Sequence, residues 1–437
     1  MSTITAVNRL ALLGGQKSFS LDAPDLFHWP IVTQDDEAAV VAVLRQGKMS
    51  GTDITKEFEK EWAVFNQTKY ALGTCNGTAA IQAAMWACGV GAGDEIIAPS
   101  MTYWASAAPA LMLGATVNFA DIDRDTLCID PNDIEQRIGP RTKAIVVVHY
   151  TGHPCEMDSI MAIARKHNVK VIEDVSHAHG SLYKGRKVGS IGDIGPMSMM
   201  GGKGFAVGEA GMIVTNNQEL YERCIAFGHY ERTGVASNYN PADPQITLPE
   251  LKPYIGLPLG GCKQRMNQTC SAFGRSQLKR YPERLKIIQS AMNRFWDLLD
   301  GVPGLKAHRP PHGSGSTMGC WYAAAGCYRP EQLGGLACAK FAEAVRAEGV
   351  ENCWPAGNRP LHVHPYFHTA DIFHHGKPTA IAFGQRDVRQ GAGALPVAES
   401  INQICIRIPW FKHDRVKEIK LYADAYRKVA ENADQLL

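Results

Sequence analysis

Residues 169–216 read VKVIEDVSHAHGSLYKGRKVGSIGDIGPMSMMGGKGFAVGEAGMIVTN, and the rest of the chain is organised around them. The stretch opens on an apolar run, Val169 to Ile172, that reads as a buried strand. An acidic pair, Glu173 and Asp174, follows where that strand should end. A second apolar run, Gly211 to Val214, closes the stretch. Between them a single lysine, Lys203, is flanked by Gly201, Gly202 and Gly204. A lysine in such small, uncharged surroundings loses its proton more readily and can act as an amine nucleophile. The cofactor that takes such an amine is pyridoxal phosphate. It also needs an acid to keep its pyridine nitrogen protonated, and Asp174 at a strand end is placed for that. Taken alone, a Gly-Gly-Lys-Gly run is an ordinary loop, and an Asp after a strand is an ordinary helix cap.

Composition bounds the answer. The chain has 437 residues, 45% hydrophobic and 20% charged, with a formal net charge of +2. That is enough for a large core, and two domains are expected. The balance of charge gives no reason to expect nucleic acid or a membrane surface as partner. No run of 18 apolar residues predicts a transmembrane helix, and the first fifteen residues lack the pattern of a signal peptide. The 12 cysteines are scattered without a C-x-x-C pair. They are expected to be reduced thiols of a cytoplasmic protein, with no metal site.

Apolar strand-like runs alternate with helical patterns through the first half. Residues 35–46 and 55–65 are expected to be helices, the second with Phe58, Trp62 and Phe65 inward. Strands are expected over 70–73, 96–99, 116–119 and 145–148. This alternation predicts a mostly parallel sheet covered on both faces, with ligands at the carboxyl ends of its strands. No G-x-G-x-x-G fingerprint points to a dinucleotide. After residues 70–73 comes Cys75-Asn76-Gly77-Thr78-Ala79-Ala80, a small-residue turn feeding a helix over 79–87. Such a helix start suits an anion; taken alone, the run is also that of a capped helix. Downstream, residues 219–227 and 332–348 should hold helices, 319–326 a strand, and 414–432 the final helix. A helix entered after Asn267 is expected to run through Arg280, with a further long helix over 285–299.

The motifs resemble the DegT/DnrJ/EryC1/StrS family, the sugar aminotransferases of fold type I. Glu173-Asp174-Val175-Ser176-His177-Ala178-His179-Gly180 matches E-D-x-A-[QH]-A-x-G. Gly189 to Asp193, Ser198 to Lys203 and Gly208-Glu209-Ala210-Gly211 follow the family's order. Met199 replaces its usual Phe, Ala210 a Gly, and His177 stands where many members have Gln. Nearly the whole chain takes part. The resemblance implies a large α/β/α domain with a mostly parallel sheet, over residues 31–260. It also implies an N-terminal arm over 1–30 and a smaller α+β domain over 261–437. It makes Lys203 the cofactor-bearing base and Asp174 the partner of the pyridinium. Gly77, Thr78, Ala79 and Ser198 would hold the phosphate, His177 would meet the ring hydroxyl, and Tyr103, rather than its neighbour Trp104, would stack on the ring. Lys263, in Gly261 to Asn267, would reach the phosphate of a partner subunit in a homodimer with shared sites; without the resemblance it reads as a surface lysine. The histidine-rich run Leu361 to His368, with His374 and His375 further on, invites a metal reading but lacks obvious carboxylates and supporting partners to fix a site; it also resembles the family's P-L-H-x-x-P-x-[YF], a loop near the substrate entrance.

The function so implied is transfer of an amino group from Glu or Gln to a keto sugar, often nucleotide-linked, or to a keto cyclitol. The alternatives are a dehydratase of the same family, whose members carry His in place of the lysine, and a 3-amino-5-hydroxybenzoate synthase-like enzyme. A non-catalytic pyridoxal-binding protein would lack Asp174 or Lys203.

Overall fold

The computed structural model describes residues 9–233 and 246–437. Part of the expected arm, residues 1–8, and part of the Asn- and Pro-rich loop before Gly261 lie outside the described residues.

The strands of the first half are β1 Tyr70–Thr74, β2 Glu95–Pro99, β3 Thr116–Ala120, β4 Thr142–Val148 and β5 Lys170–Asp174. A two-residue hairpin, β6 Leu182–Tyr183 with β7 Arg186–Lys187, precedes β8 Gly195–Ser198 and β9 Gly211–Thr215. Strands β3-β2-β4-β5 pair in parallel, whereas β8-β9 and β9-β1 pair antiparallel. The Glu173 amide donates to the Ile194 carbonyl at 2.9 Å and the Val175 amide to the Pro196 carbonyl at 3.0 Å. These bonds, with a parallel bridge between Ile172 and Ile194, join the two groups of strands. The result is one sheet in the order β3-β2-β4-β5-β8-β9-β1, in which β9 alone runs against the others. The mostly parallel sheet expected from the sequence is present. Every residue of β2, β3 and β9 is buried, as a sheet covered on both faces requires.

Local chemistry sets the helices beside it. The side chain of Asn76 accepts from the Ala79 amide at 2.8 Å and opens the helix Gly77–Ala87, two residues earlier than the pattern alone implied. The helix Met157–His167 ends on three basic residues and a left-handed Asn168, φ 53°, and delivers the chain to β5. No described helix is long and apolar enough to cross a membrane.

A second core lies beyond. Strands β10 Leu305–Ala307, β11 Ala325–Tyr328, β12 Trp354–Pro355 and β13 Cys405–Arg407 form an antiparallel sheet in the order β10-β11-β13-β12. Phe295, Trp296, Phe341, Phe411 and Tyr426 fill this core, and Leu10, Phe19 and Leu26 of the arm complete it. The larger core takes back residues from late in the chain: Leu361, Phe367, Leu395 and Ile401 pack into it. The helix Gln268–Leu278 likewise packs against Gln34–Gln46 and Asp53–Asn66.

Two expectations are corrected. The strand expected over 319–326 begins only at Ala325. Before it, Gly319, Trp321 and Ala323 take positive φ of 54°, 55° and 53°, so the chain turns where an apolar run had suggested extension. A Cβ on Gly319 would sit 2.4 Å from the Ser181 nitrogen, which fixes glycine there. The helix entered after Asn267 stops at Leu278. A new one, Tyr281–Leu298, starts with Pro282 in its first turn, where a missing N–H costs nothing.

Candidate active site

The carboxyl ends of β5 and β8 and the start of the helix Gly77–Ala87 converge on a cavity of about 530 Å³. Gly77, Thr78, Tyr103, Asp174, His177, Ser198 and Lys203, distant in sequence, all line it. Ala79 does not: its amide is already taken by the Asn76 side chain. Lys263 is exposed and lies outside the lining. Of the two aromatic neighbours, Tyr103 lines this cavity, whereas Trp104 faces an adjoining one with Tyr366 and Phe367.

Asp174 ends β5 and is 3% exposed. Its Oδ2 accepts from Ser106 Oγ at 2.7 Å and its Oδ1 from the Ser176 amide at 3.0 Å. Ser106 is itself joined to Thr102 Oγ1 at 2.9 Å. The carboxylate is thus held in one orientation, with a donor on each oxygen. Its chain neighbour Glu173 faces the other way. Glu173 is bonded to His149 Nε2 at 3.0 Å and to the amides of Gly189, Ile191 and Gly192, and so fixes the loop ahead of β8.

Lys203 sits in the turn between β8 and β9, its amide donating to the Met200 carbonyl at 2.8 Å. Its Nζ lies 4.5 Å from the ring centroid of Tyr322 and makes no hydrogen bond or ion pair with another described residue. Burial pushes the ammonium below its ordinary value, while the charge of Asp174 opposes that shift. Gly204 must be glycine, because a Cβ there would meet Cys320 Sγ.

His177 is 7% exposed. Burial holds it well below the usual imidazole range, and the charges of Lys203 and Arg407 push the same way. It is therefore neutral at pH 7. Its Nδ1 accepts from the Thr151 amide at 3.4 Å, which leaves the proton on Nε2 and makes that atom a donor. At the opposite wall, a Cβ on Gly77 would stand 2.5 Å from Ser198 Cβ. Only glycine leaves a gap between the helix start and β8. Ser198 Oγ accepts from the Met200 amide at 3.3 Å, so its hydroxyl proton is free to donate.

The donor set fits a flat, anionic, carbonyl-bearing cofactor. A glycine gap with Thr78 and Ser198 hydroxyls at a helix N-terminus suits a phosphate. A buried, oriented carboxylate suits a ring nitrogen, and a buried amine without a polar partner suits a carbonyl carbon.

Several lining residues escaped the sequence reading. Tyr322, Asn358 and Arg407 come from the second half of the chain. Trp29, from the arm, donates its Nε1 proton to the Lys203 carbonyl at 2.7 Å and packs against Trp410 at a centroid distance of 5.6 Å. Ser106 and Arg407 stand inside the runs Ser100 to Ser106 and Ile406 to Trp410 that carried the resemblance, but nothing in their spacing marked them. His362, read as part of a substrate loop, is buried, with its ring joined to Ser100 Oγ at 2.6 Å and Glu399 at 3.0 Å.

Comparison with known proteins agrees with this geometry. The profile of the DegT/DnrJ/EryC1/StrS aminotransferase family matches residues 30–419. The spore coat polysaccharide biosynthesis protein SpsC of Bacillus subtilis (strain 168) is 35% identical over 276 residues, 63% of this chain and 69% of that protein. The L-glutamine:2-deoxy-scyllo-inosose aminotransferase of Streptoalloteichus tenebrarius is 32% identical over 332 residues, 73% of this chain and 76% of that protein. Among solved structures, the aminotransferase from Psychrobacter cryohalolentis superposes with a TM-score of 0.76 at 29% identity, covering 93% of this chain and 100% of that one.

Proposed function

Since the chain belongs to the DegT/DnrJ/EryC1/StrS aminotransferase family, we propose that it uses pyridoxal phosphate to move an amino group from Glu or Gln to a keto sugar, often nucleotide-linked, or to a keto cyclitol. The observation that carries this reading is the buried Lys203 amine, without a polar partner among the described residues, opening on the same cavity as the oriented Asp174 carboxylate. Similarity to a polysaccharide biosynthesis protein and to a cyclitol aminotransferase supports the acceptor class.

The cofactor, when bound, supplies a carbonyl for the substrate amine and a ring that draws electrons from the substrate carbon. The chain's own residues do the rest. Lys203 holds the group through its amine and moves the proton at the reacting carbon, helped by a burial that lowers its basicity. Asp174 would keep the ring nitrogen protonated, and Ser106 and the Ser176 amide hold its carboxylate aimed. Tyr103 would cover one ring face, and His177 Nε2 would donate to the ring oxygen. Gly77, Thr78 and Ser198 receive the phosphate, while Ala79, capped by Asn76, secures the turn beneath it. Lys263, exposed and outside its own cavity, serves the phosphate of a partner subunit in a homodimer.

The test is spectroscopic. Protein loaded with pyridoxal phosphate should absorb in the visible and change on addition of L-glutamate or L-glutamine. Nitrogen-labelled donor should then pass its label to one member of a panel of keto sugars and keto cyclitols. A spectrum indifferent to every amino acid would end the aminotransferase reading.

A further inference from the structure

Thr151 follows β4 in the three-residue turn Tyr150–Gly152 and is buried. Its backbone is left-handed, with φ 51° and ψ 19°. A β-branched residue rarely adopts that conformation, and does so only where its surroundings hold it there. Two imidazoles hold this one. The Thr151 amide donates to His177 Nδ1 at 3.4 Å, and the Thr151 hydroxyl is joined to His308 Nδ1 at 3.0 Å. The turn has no slack on its other side, because a Cβ on Gly152 would stand 2.8 Å from the Met318 carbonyl oxygen.

His308 sets the direction of the second bond. Its Nε2 lies 2.7 Å from the Thr126 carbonyl, which can only accept, so the ring carries a proton on Nε2. The ring is fully buried, and burial pushes its pKa down to about 3. It is therefore neutral at pH 7, its Nδ1 is bare, and the Thr151 hydroxyl donates to it. His308 comes directly after β10, so an edge strand of the second sheet reaches across to the turn after β4.

On the reading above, we propose that Thr151, anchored by His308, is the positioning residue that keeps the His177 proton on Nε2, the atom that meets the cofactor's ring oxygen. A free neutral imidazole exchanges its proton between both nitrogens. A fixed donor at Nδ1 forbids the tautomer with a proton there, because two N–H groups would then face each other. A threonine in a left-handed turn stays fixed only while its hydroxyl is tied. Released, it relaxes towards an ordinary backbone conformation and its amide turns away. The rings of Tyr150 and Tyr322, with centroids 5.5 and 4.8 Å from that of His177, confine its plane, but neither chooses between its nitrogens. The protonation pattern of a residue on the larger core is thereby set from the second sheet.

The test reads the tautomer directly, by nitrogen NMR of the full-length protein with isotope-labelled histidines. The His177 signal is assigned as the one lost in His177→Gln. In wild type its Nδ1 resonance should be that of a bare, hydrogen-bonded ring nitrogen, before and after loading with pyridoxal phosphate. Thr151→Val keeps the shape and removes the hydroxyl. It should move that resonance towards the averaged position of an exchanging imidazole and weaken cofactor binding by about 2- to 10-fold, the effect of one lost hydrogen bond. Thr151→Ser should restore both. His308→Phe keeps a ring and removes the anchor, so it should reproduce Thr151→Val, and the double variant should lose no more than either alone. It also carries the test if Thr151→Val does not fold. A resonance unmoved in Thr151→Val, a loss that Thr151→Ser does not restore, or losses that add in the double variant would overturn the assignment. Protein that shows the locked resonance but takes up no pyridoxal phosphate would end the cofactor reading and leave this assignment standing.

Discussion

The indole of Trp29 and the carbonyl of Lys203 are joined at 2.7 Å, so the N-terminal arm holds the turn that carries the reactive amine. The arm rests in turn on the second core, through Trp29 against Trp410 and Phe27 against Phe411. Trp410 donates its own Nε1 proton to the Cys320 carbonyl at 2.8 Å, and Cys320 is the residue that Gly204 packs against. The lysine turn is thus gripped from two sides by residues that belong to neither of its strands.

Trp29→Phe keeps the ring contact and removes the donor. A single hydrogen bond of this kind contributes about 1 kcal/mol, so the expected result is turnover reduced by up to about tenfold with cofactor still bound. Steady-state rates beside a cofactor titration check it. Unchanged turnover would reduce Trp29 to a packing residue.

Gly77→Ala should weaken cofactor binding without unfolding the protein. The added Cβ would stand 2.5 Å from Ser198 Cβ and 2.7 Å from Ser198 Cα, both too close to hold. Forcing a methyl into packed surroundings costs about 1–3 kcal/mol, which is about a 5- to 150-fold loss of affinity if it falls on the cradle. Equilibrium dialysis with pyridoxal phosphate measures it, and circular dichroism controls for the fold. Wild-type affinity would place the phosphate elsewhere.

The pH profile of cofactor capture follows from the sign of the Lys203 shift. Burial lowers the folded-state value below the ordinary 10.5, so the unprotonated amine is present at lower pH than in a free lysine. Capture of pyridoxal phosphate by cofactor-free protein should therefore speed up as pH rises, with a midpoint below 10.5. Stopped-flow mixing across that range reads it out. A midpoint at or above the ordinary value would mean an amine exposed to water.

Lys203→Ala should lower turnover by at least about 10²- to 10⁴-fold, the usual contribution of a positioned base. Lys263→Ala should release cofactor. Co-expressed, the two variants should regain part of the activity, because one site of a mixed dimer pairs an intact Lys203 with the partner's intact lysine. Absence of rescue in mixed dimers shown to form would return Lys263 to the surface.

Much of this site was legible because its parts lie where strands end. Asp174 and Ser198 are the last residues of β5 and β8, and apolar runs mark such ends plainly. Lys203 was legible from its glycines. Tyr322 was not, because the residues around it look like a strand. The turn that aims its ring depends on positive φ at Trp321 and Ala323, which neither residue type advertises. Arg407 sits in a strand pattern where alternation says only that it faces away from the core. Trp29 and Asn358 reach the site through packing between segments far apart in sequence, to which local pattern is blind. For the same reason a division at residue 260 does not describe the packing, since Phe367 and Leu395 return to the larger core.

The reversed strand β9 has a consequence for synthesis of the chain. β1, which leads into the helix Gly77–Ala87, pairs within the sheet only with β9 among the described residues, Tyr70 against Thr215. A nascent chain emerging in order thus exposes β1 as an unpaired edge throughout translation of the four strands β2 to β5. Such edges are open to pairing with other chains while they wait. The Gly77 and Ser198 walls of the cavity cannot meet until the lysine turn has been made and β9 has folded back beside β1. Added pyridoxal phosphate cannot rescue a ribosome-bound fragment that stops before residue 211, whereas a full-length chain refolding from denaturant has every strand available at once.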